Sequence, residues 1–391
     1  MRPTLLRAAP LVFLVVLAAM TVRLLAIVVE PGASDGGYLD FRDAVHAPAA
    51  ALLDGVDPYN TVDLLAHDPD IGNPFNTYTP HHLLLAIPLA LLPIWVAGVI
   101  WWGLNVALLL IAVRFAVERT RPEWGWDGVF GVASIVLLSN PGRFNFLTGQ
   151  PTLVIVVGAY VAFTSRNPWA AAAGAAAAAI KPQFGIPLFV LLAAAGRLRT
   201  ALGGTGIVAA LSAPILLTLV AIEGSVGGVI DAIWDNATAE RSGSLSPYRI
   251  DAVAAGRRVL GFDERFVITV LVFALFMGIG WYLLRRRREF DATAMAIVGL
   301  TSLLALFHLP YDELILLWPI VGLVTADHGL GRWRPWAVGA MLAAAFNPLT
   351  MLFLDLGEGL DTTTTVLLAL SLAAIAAGML ARRERETPVR Q

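Results

Sequence analysis

Apolar residues occur along this chain in long blocks rather than in alternation. The blocks lie near 8–29, 95–113, 128–140, 151–164, 168–180, 185–196, 203–222, 266–284, 291–307, 313–326, 335–354 and 364–381. A membrane β-barrel would show a period of two, so continuous blocks predict helices. They predict an all-α, polytopic transmembrane bundle of about twelve spans, forming one integral membrane domain over residues 1–391. Several blocks are shorter than the roughly 20 residues that a straight span requires. Those are expected to borrow from their flanks or to sit where the bilayer is thin. A further apolar stretch, His82–Leu92, is bracketed by Pro80 and Pro93. It predicts a re-entrant or interfacial helix.

Composition agrees with lipid as the solvent. Of 391 residues, 58% are hydrophobic and 14% charged, with a mean hydropathy of +0.73. A soluble domain carries about 25% charged residues, and a water-soluble fold of this length could not hide so much apolar surface. The chain contains no cysteine. That excludes a disulfide framework, a thiol nucleophile and a cysteine metal site.

The distribution of charge gives a direction. Arg285–Arg288 follows an apolar block directly, and basic residues favour the cytoplasmic side. Alternating outward from that cluster puts 18 basic residues inside, 8 outside and Arg23 within a span. The expectation is a plasma-membrane protein with both termini cytoplasmic. The first block is read as an uncleaved span and not a signal peptide, because it exceeds twenty residues and a later span near 95 must start from outside. Two large extracytoplasmic loops follow, 30–79 with interfacial helices and 223–265.

Candidate chemistry collects on that outer side, which holds five of the six histidines. The cytoplasmic turns are short and basic, with no glycine-rich phosphate cradle. The Gly-rich stretch Leu202–Gly206 lacks the Lys-Ser/Thr ending and is read as helix packing. No nucleotide and no metal is expected. Lys181 is the sole lysine among 27 basic residues and closes an apolar block before Pro182. It is either a snorkelling interfacial cation or a compact charge for a phosphate or carboxylate in a cavity. Asp40 and Asp43 follow the first block, three residues apart, and share a helix face if the helix starts that early. Near a helix start they serve as dipole partners or caps. Their functional reading is a general base close to the membrane surface; as a metal site two carboxylates are a weak signal.

Further candidates sit in the other outer turns. Tyr78 and Pro80 form a rigid entry to the re-entrant stretch, followed by His81 and His82, either ligands or a polar rim. Arg143 and Gln150 lie in one turn; His308, Tyr311 and Asp312 lie in another. A histidine there can sense pH, donate to a phosphate or satisfy a carbonyl. Arg241 and Arg249, in the second large loop, are candidates for a phosphate or a sugar, although loop arginines are commonly solvated.

Taken in order, these pieces resemble glycosyltransferase family 87, the actinobacterial α-1,2-mannosyltransferase type of the GT-C superfamily. The resemblance rests on Ala51-Leu-Leu-Asp-Gly55 with Asp57-Pro-Tyr59, on Tyr78-Thr-Pro80 closed by Leu91-Leu-Pro93, on Gly149-Gln150 and on Ile180-Lys-Pro182. The family often has Tyr-Pro-Pro where this chain has Tyr78-Thr79-Pro80, and Gly-Gln-x-Asn where this chain has Pro151 after Gln150. The resemblance implies a GT-C fold and a polyprenyl-phosphate-linked sugar, mannose by this subtype, as donor. It implies a lipid-linked or glycan acceptor, an inverting displacement at the extracytoplasmic face, and an outer-loop carboxylate as base. That base is Asp40, with Asp43 as the alternative. Lys181, Arg249 and His308 would hold the leaving phosphate, and Arg241, Gln150, Tyr78, His81 and Arg143 complete the substrate-binding set. Two rivals remain at this stage. One is a lipid-linked-sugar ligase or other GT-C enzyme, and the other is a polytopic transporter or flippase, which broken helices and intramembrane charge also suit.

Overall fold

The computed structural model describes residues 7–29, 38–72, 77–242, 248–261, 266–287, 289–326, 328–347 and 358–386, apart from the side chains at 26–29, 237–242, 358–360 and 383–386. Among the described residues every regular element is helical. The chain opens with α1 (Ala9–Val29). Helix α2 (39–53) is built from Leu39–Phe41, a π-helical turn Arg42–His46 and Ala47–Leu53, and α3 (Thr61–His67) and α4 (Pro80–Ala90) follow. Next come α5 (Ile94–Thr120), α6 (Gly125–Leu138), α7 (Asn140–Thr148), α8 (Thr152–Thr164), α9 (Pro168–Ala178), α10 (Pro182–Ala194) and α11 (Leu198–Glu223). The second half contains α12 (Val226–Ser242), α13 (Ala252–Leu260), α14 (Phe266–Leu284), α15 (Ala292–Ala305), a 3-10 turn Pro310–Leu316, α16 (Leu317–Thr325), α17 (Arg334–Ala345) and α18 (Glu358–Glu386).

Among the described residues, four helices are long and apolar enough to cross a membrane alone: α5, α11, α14 and Asp361–Arg382 within α18. Helices α7 and α8 make a fifth candidate, bent by 119° at the break between them. The apolar blocks that looked short in sequence form helices of 9 to 14 residues. Their position explains how they persist. Helix α15 is about 21 Å long at 1.5 Å per residue, less than the roughly 30 Å hydrocarbon core. All fourteen of its residues are buried. Its backbone ends therefore meet protein and not lipid, the condition under which short helices survive in a bundle. The apolar block expected at 335–354 begins as α17 and ends at Ala345; its remainder from 348 lies outside the described residues.

Between helices, small residues do the packing. At the α8–α9 crossing a Cβ on Gly158 would stand 2.6 Å from the Gly174 carbonyl oxygen, and the reverse holds for Gly174. Such contact lets two backbones touch where lipid supplies no hydrophobic drive between helices. It fixes α9, and with it the Ile180–Lys181 step at its end. Both large loops expected in sequence are helical in part: α2 and α3 lie within the first, α12 and α13 within the second.

Candidate functional site

The site is assembled at one end of the bundle, around the break between α7 and α8. Helix α7 ends at Gly149, whose φ of 76° is the left-handed conformation, a geometry glycine adopts without strain. A Cβ there would lie 2.7 Å from Phe41 Cβ and 3.1 Å from the Tyr38 ring. Two constraints thus select the same residue. The Trp101 indole N–H donates to the Gly149 carbonyl at 2.7 Å, which locks the turn. Gln150, buried directly behind it, takes its position from this turn.

Gln150 joins two chain segments that are far apart in sequence. The Tyr78 hydroxyl donates to its Oε1 at 3.0 Å. With the oxygen so occupied, the amide nitrogen is the group that faces the Asp40 carboxylate, which the Thr148 hydroxyl also engages. Asp40 is half-buried on the first turn of α2. Burial pushes its pKa above the usual aspartate value, with the Asp43 charge adding to the rise; the Gln150 and Thr148 hydrogen bonds and the Lys181 charge oppose it. The helix does start early enough to carry both carboxylates. Their partners differ, because the π-helical turn begins at Arg42. Asp43 is fully buried, 2.6 Å from Arg42 Nε, and accepts from the Gly72 backbone N–H at 3.1 Å. Its carboxylate ties α2 to the loop after α3.

Lys181 caps the start of α10, which Pro182 opens. Its ammonium is buried, 3.1 Å from Asp312 Oδ1, 4.4 Å from the Tyr311 ring centre and 5.8 Å from that of Tyr78. It is therefore not a snorkelling cation. Asp312 collects three further donors: Thr152 Oγ1 at 3.2 Å, His308 Nδ1 at 3.0 Å and the Leu309 backbone N–H at 3.3 Å. Burial alone would raise the Asp312 pKa, but the Lys181 charge and the His308 contact outweigh it and hold the carboxyl below its usual value. A carboxylate can only accept, so His308 Nδ1 carries the hydrogen here. His308 is fully buried, and its Nε2 has no hydrogen-bond partner among the described residues.

Arg249 stands next to this cluster through the backbone: the Ile250 N–H donates to the His308 carbonyl at 2.9 Å. Its guanidinium makes a two-pronged contact with Asp251, at 2.8 and 3.0 Å, and both residues are buried. The Phe307 ring lies 5.2 Å away. Asp251 also caps α13 through the Ala254 N–H, so this pair anchors the helix.

The structure therefore brings Asp40, Gln150, Tyr78, Lys181 and His308 into one continuous network, with Arg249 at its edge. Other candidates fall elsewhere. His81 donates from Nε2 to the Ala176 carbonyl at 3.1 Å, which fastens α4 to α9, while its Nδ1 meets Thr79 Oγ1 at 2.8 Å at the start of its own helix; both ring nitrogens are engaged. His82 does the same toward the Ala44 carbonyl. Arg143 sits half-buried on α7, 3.4 Å from Asn140 Oδ1. Arg241 belongs to α12, and its side chain lies outside the described residues. The node that the sequence reading underrated is Asp312. Its one sequence signal is the four-residue spacing from His308, which places both side chains on one face of a helical turn.

A bundle of apolar helices with a buried carboxylate–amide–cation network at one end defines a membrane protein with a buried polar site. Residues 76–310 match glycosyltransferase family 87. That is more than half of the chain, and the protein belongs to this family of membrane glycosyltransferases. No curated relative and no solved structure matches the chain.

Proposed function

We propose that the protein transfers a hexose, mannose by its resemblance, from a polyprenyl-phosphate sugar to a hydroxyl of a lipid-linked or glycan acceptor. The reaction takes place at the extracytoplasmic face of the plasma membrane, a reading supported by the skew of basic residues toward the opposite loops. The observation that carries the reading is the Asp40–Gln150–Tyr78 chain set beside Lys181. It pairs a carboxylate of raised pKa with a cation whose charge reaches it.

Asp40 acts as general base. It accepts the proton of the acceptor hydroxyl as that oxygen attacks the anomeric carbon, since a neutral alcohol is a poor nucleophile. The bond from the anomeric carbon to the phosphate oxygen breaks, and the polyprenyl phosphate leaves with the electron pair. A single displacement inverts the configuration. Phosphate is stable as an anion, so its departure needs nearby positive charge and no proton donor. Lys181 supplies that charge, with Arg249 and Arg241 as further candidate cations and His308 Nε2 as the available donor or acceptor. Gln150 and Tyr78 orient Asp40. Asp43, held by Arg42 and Gly72, is the alternative base. Membership in a glycosyltransferase family favours this chemistry over transport.

The test uses purified protein in lipid nanodiscs, supplied in turn with polyprenyl-phosphate mannose, polyprenyl-phosphate glucose and a nucleotide sugar, plus lipid glycan acceptors. Transfer from a polyprenyl-phosphate hexose and none from the nucleotide sugar is expected. Transfer from the nucleotide sugar alone would overturn the reading.

A further inference from the structure

The motif Asp57-Pro58-Tyr59, between α2 and α3, has so far no part in the reaction. Its local geometry follows from its residue types. Asp57 Oδ1 accepts from the Tyr59 backbone N–H at 2.8 Å, a turn that aspartate side chains favour, and the Pro58 ring restricts the backbone between them. From the other side, Asn236 of α12 donates from Nδ2 to the Tyr59 carbonyl at 3.1 Å. Tyr59 is thus held by its own turn and by the second large loop, and it is buried. Its ring belongs to a cluster with Leu52, Leu83, Leu219 and Val229. Those neighbours are apolar, so phenylalanine would serve the packing equally well. The hydroxyl has a separate task.

That hydroxyl donates to the Tyr78 backbone carbonyl at 2.8 Å. The other end of the same peptide is also occupied. The Thr79 N–H donates to the Ile180 carbonyl at 2.9 Å, and the Thr79 hydroxyl donates to the same oxygen at 3.0 Å. An amide is planar and trans, with its C=O and N–H pointing opposite ways. One peptide plane is therefore clamped between Tyr59 and the residue that precedes Lys181. The Tyr78 side chain leaves this plane toward Gln150 Oε1. The orientation of the plane thus sets two contacts at once: where the Tyr78 hydroxyl meets Gln150, and where the start of α4 meets the Ile180–Lys181 step. Hydrogen bonds at both ends of an amide polarise and strengthen one another, so loss of the Tyr59 donor weakens the hold on Ile180 as well.

We propose that Tyr59 is a positioning residue for the transfer site: its hydroxyl fixes the Tyr78–Thr79 peptide, and through that peptide both Gln150 and the step that carries Lys181. The proposal rests on the functional reading above, in which Gln150 orients the base and Lys181 meets the leaving phosphate. Tyr59 touches neither substrate. It keeps the two halves of the site in register, so that the base and the cation reach one bound sugar phosphate together. Asp57 and Asn236 serve the same end by holding Tyr59 from its N–H and its carbonyl.

The test compares Tyr59→Phe, Tyr78→Phe and the double variant of the full protein in nanodiscs, with polyprenyl-phosphate mannose as donor and a lipid glycan acceptor. Asn60→Ala is the control. Asn60 adjoins Tyr59 and caps α3 through the Val62 and Asp63 N–H groups, so its loss lowers local stability without touching the clamped peptide. Tyr59→Phe should lower kcat about three- to tenfold, the scale of one hydrogen bond, with KM little changed. The acid limb of kcat/KM should move to higher pH, because the Gln150 hydrogen bond is among the influences that hold the Asp40 pKa down. The double variant should lose less than the product of the two single losses, since both residues act through one peptide. Hydrogen exchange in peptides covering 77–83 and 179–186 should quicken together in Tyr59→Phe and stay unchanged in Asn60→Ala. Asn236→Ala, which leaves Tyr59 itself intact, should reproduce these changes at smaller size. Equal effects in Asn60→Ala, losses that multiply in the double variant, or a Tyr59→Phe enzyme with normal kcat and an unmoved acid limb would each overturn the proposal and reduce Tyr59 to packing. Coupled exchange at the two peptides, with no transfer from any polyprenyl-phosphate sugar even by the unaltered protein, would sink the functional reading and leave the clamp standing.

Discussion

Lys181 Nζ stands 3.1 Å from Asp312 Oδ1, with both side chains at most 3% exposed and the two residues 131 positions apart in the chain. This pair fastens the α9–α10 step to the 3-10 turn after α15. Removing one member of a buried pair typically costs about 3–5 kcal/mol, because the other charge is left uncompensated. Replacing both by apolar groups of similar volume is often close to neutral. Lys181→Met and Asp312→Asn should therefore each lower thermal stability sharply, and the double variant, in which the Asn oxygen still accepts from the His308 and Leu309 donors, should recover much of it. If Lys181 serves the leaving phosphate, the double variant stays inactive despite its recovered fold. Recovery of transfer together with stability would make the pair purely structural.

Asp40 is expected to lose function as pH falls. A base works only when deprotonated, and burial holds the Asp40 pKa above its ordinary value. The acid limb of the kcat/KM profile should therefore lie above the usual aspartate range. Asp40→Asn should lower kcat by about 10²–10⁴-fold, the usual scale of general-base catalysis, and should remove that limb. An Asp40→Asn enzyme with unchanged kcat would transfer the role to Asp43, and Asp43→Asn would then be the decisive variant.

Gly149→Ala should be destabilising out of proportion to one methyl group. The new Cβ meets Phe41 Cβ at 2.7 Å, and the φ of 76° disfavours any L side chain. The αL conformation alone costs about 1–2 kcal/mol in a non-glycine residue. A drop in unfolding temperature accompanied by loss of transfer is expected, since Gln150 and hence Asp40 depend on this turn. Gly55→Ala makes a useful comparison. Its φ of 79° is similar but its surroundings are open, so the excess penalty at Gly149 measures the contact with α2.

The sidedness can be read by labelling, because the chain has no cysteine of its own. A cysteine at Asp54, 65% exposed in its side chain, should react with a membrane-impermeant maleimide added to whole cells. One at Arg286, in the basic cluster, should react only after the membrane is opened. The reverse pattern would move the network to the cytoplasmic side and remove access to an extracytoplasmic donor.

The membrane setting, the helical class and the family signatures were legible in the sequence, because each depends on local quantities. Continuous apolar blocks fix helices in lipid whatever their neighbours, and the end of the block expected at 266–284 agrees with the end of α14 at Leu284. Gly149-Gln150 and Ile180-Lys181-Pro182 were visible as steps between helices for the same reason: glycine and proline restrict the backbone where they stand. The separation of Asp40 from Asp43 was not legible, since the π-helical turn that gives them different partners depends on how α2 packs against α7 and the loop at Gly72. Nor could sequence alone tell that the rings of His81 and His82 are bound to backbone carbonyls, or that Lys181 is matched to Asp312. These pairings join segments 38, 95 and 131 residues apart, and only the tertiary structure sets the distances at which such groups meet.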